Sequence, residues 1–166
     1  MNRLAICVAV LMFLGGSYLF AQSSASKVCV SGMQGASGST SATASRDTLI
    51  KSLGKQKGLR VAIESLTAST DEAGLEEAKQ KGCAYLLTTS LLEDHTESAY
   101  SQGVLMARST PTFFVTVGYK MTNVADGSEV LSGSAKAQDS SSSQHAVDYS
   151  MNKIASKVGG ALKSGK

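Results

Sequence analysis

Aromatic side chains are scarce in this sequence and tryptophan is absent: aromatic residues make up 5% of the 166 positions. Proteins that bind single-stranded nucleic acid stack bases on such rings, so the composition argues against that class. An excess of one charge is also lacking, because the formal net charge is only +3 and cleavage of a segment containing Arg3 would bring it near neutral. Nucleic-acid-binding domains concentrate lysine and arginine on one face. We therefore expect no nucleic-acid partner.

One long apolar run stands at the start of the chain. Leu4–Leu14 is unbroken, follows the positive charge of Arg3 and precedes a small-residue site that ends at Ala21. This arrangement predicts a signal peptide over residues 1–21. The run is shorter than the ~20 residues that a membrane-spanning helix needs. No cysteine stands at the cleavage point for lipidation, so we expect a soluble exported protein, periplasmic or secreted, with no transmembrane segment after cleavage.

The remaining residues, 22–166, are enough for one envelope α/β domain with a real hydrophobic core, at about residues 27–162. They contain two cysteines, Cys29 and Cys83. In an oxidising compartment such a pair can close into a disulfide. Buried free thiols are the alternative, because cysteine is among the most buried residue types. The composition by itself leaves both possibilities open.

Hydrophobic periodicity and turn signals predict the element order β-α-β-α-β-β-β-α. Ser69 followed by Glu72 is a capping-box pattern for the second helix, and residues 98–111 are predicted to be flexible. The predicted strands are Lys27–Ser31, Leu59–Leu66, Cys83–Leu92 with an extension to Glu97, Thr112–Thr122 and Glu129–Ala137, and the predicted helices run from Thr43 or Ser45 to Gly58, over Asp71–Lys81 and over Ser143–Lys163.

This order of elements predicts a single-domain α/β fold. Strands separated by helices pair in parallel, whereas strands joined by a hairpin pair antiparallel. Right-handed crossovers then give a five-stranded mixed sheet in the order 2-1-3-4-5, parallel then antiparallel, with helices on both faces. In that order the first and third strands are neighbours. Cys29 and Cys83 lie near the entering ends of those strands, so a disulfide between them is geometrically possible.

The glycine-rich loop after the first strand invites comparison with nucleotide sites. Gly32, Gly35 and Gly38 are spaced G-x-x-G-x-x-G, whereas the dinucleotide fingerprint is G-x-G-x-x-G with the helix opening at its end. The predicted helix starts five or more residues later, so its N-terminus cannot receive a pyrophosphate there. No lysine follows the glycines as in a P-loop. We expect a mobile loop and no cofactor.

Other polar clusters do not form a recognisable catalytic or metal site. His95 lies among acidic residues at 93–97, but no second histidine stands at a metal-binding spacing. The serines at 140–143 lack the G-x-S-x-G context of a nucleophile and are interpreted as linker and helix cap. No catalytic residue and no metal ligand is predicted, and the chain is not expected to be an enzyme.

Several motifs in a fixed order carry a resemblance to a known group of domains. They are the opening strand Lys27–Ser31 with its loop and helix, the stretch GLEEAKQKGCAYLLTTSLLED, the stretch VTVGYKMTNVADGSEVLSGSAKA and a last long helix rich in alanine and lysine. Together they resemble the periplasmic α/β core shared by the TolB amino-terminal domain, the curli-secretion-channel lipoproteins and the lipoprotein activators of penicillin-binding proteins.

In those families the domain is a binding module of the bacterial envelope and has no catalytic residues. The resemblance therefore implies a non-catalytic protein-binding or assembly module whose partners are envelope proteins. Two departures limit it: Ala21-Gln22 stands where the lipoproteins have a lipidated cysteine, and the added segments with which the channel proteins build a pore are missing. The alternative is a small-ligand-binding or enzymatic α/β domain that uses the crevice beside the Gly32–Gly38 loop.

A partner surface is predicted between the third and fourth strands. The segment is longer than a tight hairpin needs, and its centre, Val104, Leu105 and Met106, is apolar, with Tyr100 and Arg108 on either side. Tyrosine, methionine and arginine are enriched at protein interfaces. The alternative is a strand extension that buries Val104 and Met106 against the core.

Overall fold

The computed structural model describes residues 26–36, 38–101 and 108–164. Five strands form one sheet in the order β2-β1-β3-β4-β5. β1 is parallel to β2 and β3, whereas β4 is antiparallel to β3 and β5. The predicted fold class and strand order are therefore confirmed. The elements are β1 (Lys27–Val30), α1 (Ala42–Gly54), β2 (Ala62–Ser65), α2 (Asp71–Gln80), β3 (Tyr85–Ser101), β4 (Arg108–Asn123), β5 (Glu129–Asp139) and α3 (Ser143–Ser164).

The helices lie on both faces of the sheet, as the crossovers require. Successive side chains of a strand point to opposite faces. Val28 and Val30 pack with α1 and α3, whereas Cys29 between them packs with α2 on the other face. The core beneath α1 and α3 is the larger of the two and includes Leu49, Leu53, Leu87, Val115, Val117, Met121, Val147, Met151, Ile154 and Val158.

Helix boundaries depart from the predictions where a neighbouring residue provides the better cap. Ser41, not Thr43 or Ser45, caps α1 and accepts the Ala44 N–H at 3.2 Å. In α2 the cap is Thr70, so the predicted capping box from Ser69 is wrong. The first helix also stops at Gly54 rather than Gly58.

The third and fourth strands are longer than predicted. They pair from Tyr85↔Asn123 to Ser101↔Arg108 with one bulge between Leu91 and Glu93. The flexible stretch predicted over residues 98–111 is therefore wrong at both of its ends, because cross-strand hydrogen bonding and β-forming side chains extend the ladder. β5 ends at Asp139, which pairs with Phe113, and beyond this position only β3 and β4 continue. We call residues 96–101 and 108–113, counted outward from this last shared position, the ribbon. Its six residue pairs span about 20 Å.

Candidate functional site

The glycine-rich loop is held against β3 over its first half. The Gln34 N–H donates to the Thr89 carbonyl at 2.9 Å, and the Leu91 N–H donates to the Gln34 carbonyl at 2.9 Å. Between them, Gln34 and Ser90 form a parallel β-bridge. The Met33 side chain, 2% exposed, is part of the larger core. The expectation of a mobile loop is therefore wrong for this part, because its backbone is bonded to the sheet and its methionine is buried.

These bonds leave the loop backbone poorly suited to hold a phosphate. The N–H groups of Ser31, Gly32 and Gln34 all donate to protein carbonyls. They are therefore not available as the unpaired backbone donors that bind an anion. Gly35 has φ +73°, and an added Cβ would lie 3.3 Å from the Leu91 carbonyl oxygen. The positive φ and the close approach of the loop to β3 together favour glycine here.

A groove lies beside this loop, between α2 and the face of β3, β4 and β5 that α1 and α3 do not cover. It consists of two adjoining depressions of about 340 and 410 Å³ that share Asp71, Thr88 and Lys120. Gln34 lines it from the loop, and Gly118 lines it from β4. This groove is the crevice beside the Gly32–Gly38 loop, which the alternative hypothesis of a small-ligand-binding or enzymatic domain uses.

Asp71 and Lys120, the two charged groups that both depressions share, are paired with each other. Lys120 Nζ lies 2.7 Å from Asp71 Oδ2, and Gln34 Nε2 donates to Asp71 Oδ1 at 2.7 Å. The Lys120 hydrogen bond lowers the pKa of the Asp71 carboxyl, and the Gln34 hydrogen bond acts in the same direction. Both carboxylate oxygens are thus engaged, and a carboxyl with a lowered pKa is a poor general base.

A second polar cluster joins β5 to α3 and combines residue types found in hydrolases. The Ser141 hydroxyl donates to Asp139, and His145 Nδ1 lies 2.7 Å from Ser141 Oγ. Because a hydroxyl has one proton, Ser141 cannot give the same proton to His145. The hydrogen bond from Ser141 also lowers the pKa of Asp139. The cluster ends the strand and begins the helix, since Ser142 Oγ accepts the His145 N–H at 3.2 Å.

Cys29 and Cys83 lie together in the smaller core. Their Cα atoms are 5.9 Å apart and their sulfurs are joined in a disulfide. Cys83 follows α2 directly, and its N–H donates to the Ala78 carbonyl at 2.9 Å. The bridge therefore ties the central strand β1 to the turn between α2 and β3, which is the juxtaposition that the predicted strand order allows.

The two flanks of the predicted partner surface lie in the ribbon. Tyr100 pairs with Ser109 and Arg108 with Ser101 in the β3–β4 ladder, whereas Val104, Leu105 and Met106 lie outside the described residues. The extended strands therefore include both flanks of the predicted surface. The proposed role of its apolar centre stays a prediction.

The sequence did not predict the contact between β3 and β4 just before the ribbon. The His95 ring stacks on Phe114 with centroids 5.2 Å apart. Glu93 and Glu97 carboxylate oxygens lie 3.5 Å from the two ring nitrogens of His95. Alternation along residues 93–97 places these three side chains on one face of β3. This contact depends on the register that pairs His95 with Phe114 across the two strands, and the sequence does not specify that register.

Two features are absent from residues 26–36, 38–101 and 108–164. No group of three histidine, cysteine, aspartate or glutamate side chains in these ranges is placed to hold a metal ion. No helix in the same ranges is long and apolar enough to cross a membrane.

No protein-family model and no curated protein matches the sequence, but solved structures share its fold. PelC from Paraburkholderia phytofirmans, a dodecamer, is 18% identical with a TM-score of 0.56 over 84% of this chain and 88% of its own. A hypothetical protein from Chlamydia trachomatis is 10% identical with a TM-score of 0.57, over 84% and 99%. TolB from Acinetobacter baumannii is 12% identical with a TM-score of 0.50, over 84% and 29%.

These likenesses establish the architecture. The sequence resemblance to the TolB amino-terminal domain is confirmed at the level of fold, since this chain matches a part of TolB that is 29% of its length. At identities of 10–18% the comparison assigns no residue role.

Proposed function

We propose that this chain is an exported bacterial-envelope protein that acts as a non-catalytic module for protein binding or assembly. The observation that supports this most is the ribbon. Two strands, β3 and β4, continue past the end of β5. Residues 93–98, which lead into the ribbon along β3, are all exposed. A two-stranded hairpin alone is only marginally stable in water. A ribbon that extends from the sheet therefore offers backbone and side chains to a partner, whose binding would stabilise it.

The solved structures add a precedent for assembly. PelC, which shares the fold, forms a dodecamer. A domain of this architecture can therefore build contacts between proteins while its sheet and helices stay intact. For the present chain we place the contact on the ribbon and on its predicted apolar centre, Val104, Leu105 and Met106, with Tyr100 and Arg108 beside it.

A photo-crosslinking amino acid at position 97 tests the proposal in the envelope of the native host. We expect discrete crosslinked products with another protein. The matched control carries the same group at position 55, an exposed lysine just after α1 at the other end of the molecule. Equal products from both positions would contradict a contact on the ribbon.

A double variant, Leu105→Ser with Met106→Ser, separates the interface from the core. On our proposal the crosslinks from position 97 disappear and the melting temperature barely changes, because exposed side chains contribute little to folding. A large fall in melting temperature would instead show that these residues are core, and the partner surface would be withdrawn.

Export is the second part of the proposal. The charged start, apolar run and small-residue site predict cleavage after Ala21. Mass spectrometry of the protein from the native host should give a mature chain that begins at Gln22. A chain that still begins at Met1, or one held in the membrane fraction, would contradict export with cleavage.

The groove supports a ligand-binding function as the second candidate. It has volume and polar walls, but its central carboxylate is already engaged by Lys120 and Gln34. A small molecule that copurifies with the protein and is lost from the Asp71→Asn variant would favour this function over protein binding.

A further inference from the structure

β5 is an edge strand, and its outer side is free of any other strand in the described part of the chain. It has 11 residues and pairs only with β4. The opposite edge, β2, has four residues. A long strand edge presents a row of N–H and C=O groups on which another strand can pair.

Two of the usual protections of an edge, proline and a bulge, are missing along the middle of β5. Leu131 to Ala137 contains no proline, and the irregularity of the β4–β5 ladder lies before it, at Met121/Thr122. Small residues at 132–135 leave the backbone open, and positions 132–134 are all exposed.

Two lysines of α3 occupy this edge. Lys153 Nζ donates to the Lys136 carbonyl oxygen at 2.5 Å, and Lys157 Nζ donates to the Ser134 carbonyl oxygen at 3.1 Å. These carbonyls therefore point away from β4. In an antiparallel ladder the N–H and C=O of one residue point to the same side. The two ammonium groups thus cover the acceptors that an incoming strand would use.

Gly133 fixes where the second lysine sits. A Cβ at this position would lie 2.9 Å from the Tyr119 hydroxyl oxygen, so the tyrosine crosses β5 over the glycine. Lys157 Nζ lies 5.8 Å from the centre of the Tyr119 ring, a cation–π distance. The ring and the Ser134 carbonyl together hold the ammonium group at the edge.

We propose that β5 is a strand-pairing surface for a second copy of this chain, and that Lys153 and Lys157 keep it closed. A second copy fits because its own β5 offers the same unpaired groups, so two copies satisfy each other about a two-fold axis. Antiparallel pairing centred on Gly133 sets Glu129 of each strand opposite Ala137 of the other, one position from Lys136. Glu129 and Lys136 pair with Thr122 and Thr116 of β4, which lie on one face of the sheet, so opposite charges are neighbours on that face at both ends.

The test removes both ammonium groups while keeping the length of the side chains. The double variant Lys153→Met with Lys157→Met should dimerise, with an association constant at least about tenfold above wild type by sedimentation. The matched control, Lys55→Met with Lys163→Met, changes two exposed lysines away from β5 and should sediment like wild type.

A third change assigns the contact to β5. Ser134→Pro removes an outward N–H that the β4–β5 ladder does not use, and proline is tolerated at such edge positions. Added to the double variant, it should return the association to the wild-type value. The proposal is overturned if the double variant sediments as wild type does, if the control pair dimerises equally, or if the proline leaves the dimer intact.

Discussion

The parallel half of the sheet and the ribbon differ in almost every physical property, although β3 runs through both. Where β3 lies beside β1, Leu87 is fully buried between neighbouring strands and the helices of the larger core. Ten residues further on, Glu97 and its neighbours are exposed. Burial of apolar side chains is the main stabilising contribution in a domain. The covered half of β3 therefore carries the stability of the fold, and the ribbon is available for contacts.

The disulfide between β1 and the turn before β3 stabilises the covered half. Cys29 and Cys83 are separated by 54 positions, and closing a loop of that length stabilises a protein by about 3–4 kcal/mol in the chain-entropy model. Reduction should lower the free energy of unfolding by that amount in urea titrations. Thiol labelling of the unfolded, unreduced protein should find no reactive thiol at either position; two would show that the pair is not oxidised.

Two substitutions on the same strand compare its halves directly. Leu87→Ala leaves a cavity in the larger core and should destabilise by about 3 kcal/mol. Thr96→Ala, in the exposed ribbon, should change stability by less than about 0.5 kcal/mol. Urea unfolding of both variants measures the difference. Similar losses from the two changes would mean that the ribbon is packed against a partner, as in an oligomer.

Acid pH should weaken the covered half through Glu77. Its carboxylate accepts the Ala68 N–H at 2.9 Å, the Thr67 N–H and the Thr67 hydroxyl. The Ala68 backbone hydrogen bond is the main cause that lowers the pKa of Glu77 from 4.5 to about 2. A lowered pKa stabilises the fold above the unfolded value, and this contribution is lost as pH falls from about 4.5 towards 2.

The Glu77→Ala variant isolates that contribution. At neutral pH it should lose about 2 kcal/mol, because charged hydrogen bonds to the turn are removed. Its stability should then fall less steeply than that of wild type between pH 4.5 and 2. Glu72→Ala, on an exposed position of α2, is the control and should keep the wild-type slope. An unchanged slope in Glu77→Ala would contradict the role of this carboxylate.

Local patterns predicted the elements of the covered half well. The 3.6-residue spacing of apolar positions located α3, whose predicted start at Ser143 is correct and whose end differs by one residue. Caps were harder, because Ser41 and Ser45 both satisfy the local rule. The choice between them depends on Gln144 of α3, which accepts the Ser41 N–H at 2.8 Å and therefore acts from 103 positions away.

The groove and the edge could not be predicted in the same way. The groove brings together Gln34, Asp71 and Lys120, which come from three separate stretches of the chain. The local sequence around each residue does not predict its contact with the other two. The lysines of α3 likewise look like the solvated side of an amphipathic helix. Their contact with β5 requires the packing angle of helix on sheet, which depends on the whole core.

The amino-acid sequence by itself determined the class of fold, because alternating apolar periods of two and 3.6 residues, together with right-handed crossovers, allow few topologies. It also determined which strands are neighbours, and so that Cys29 and Cys83 lie close enough to pair. Only the tertiary structure decided that the glycine loop is bonded to β3, that the third and fourth strands continue as a ribbon and that two lysines cover β5. The physical reason is that these features rest on contacts between residues far apart in sequence, whose register and orientation are set when the core closes.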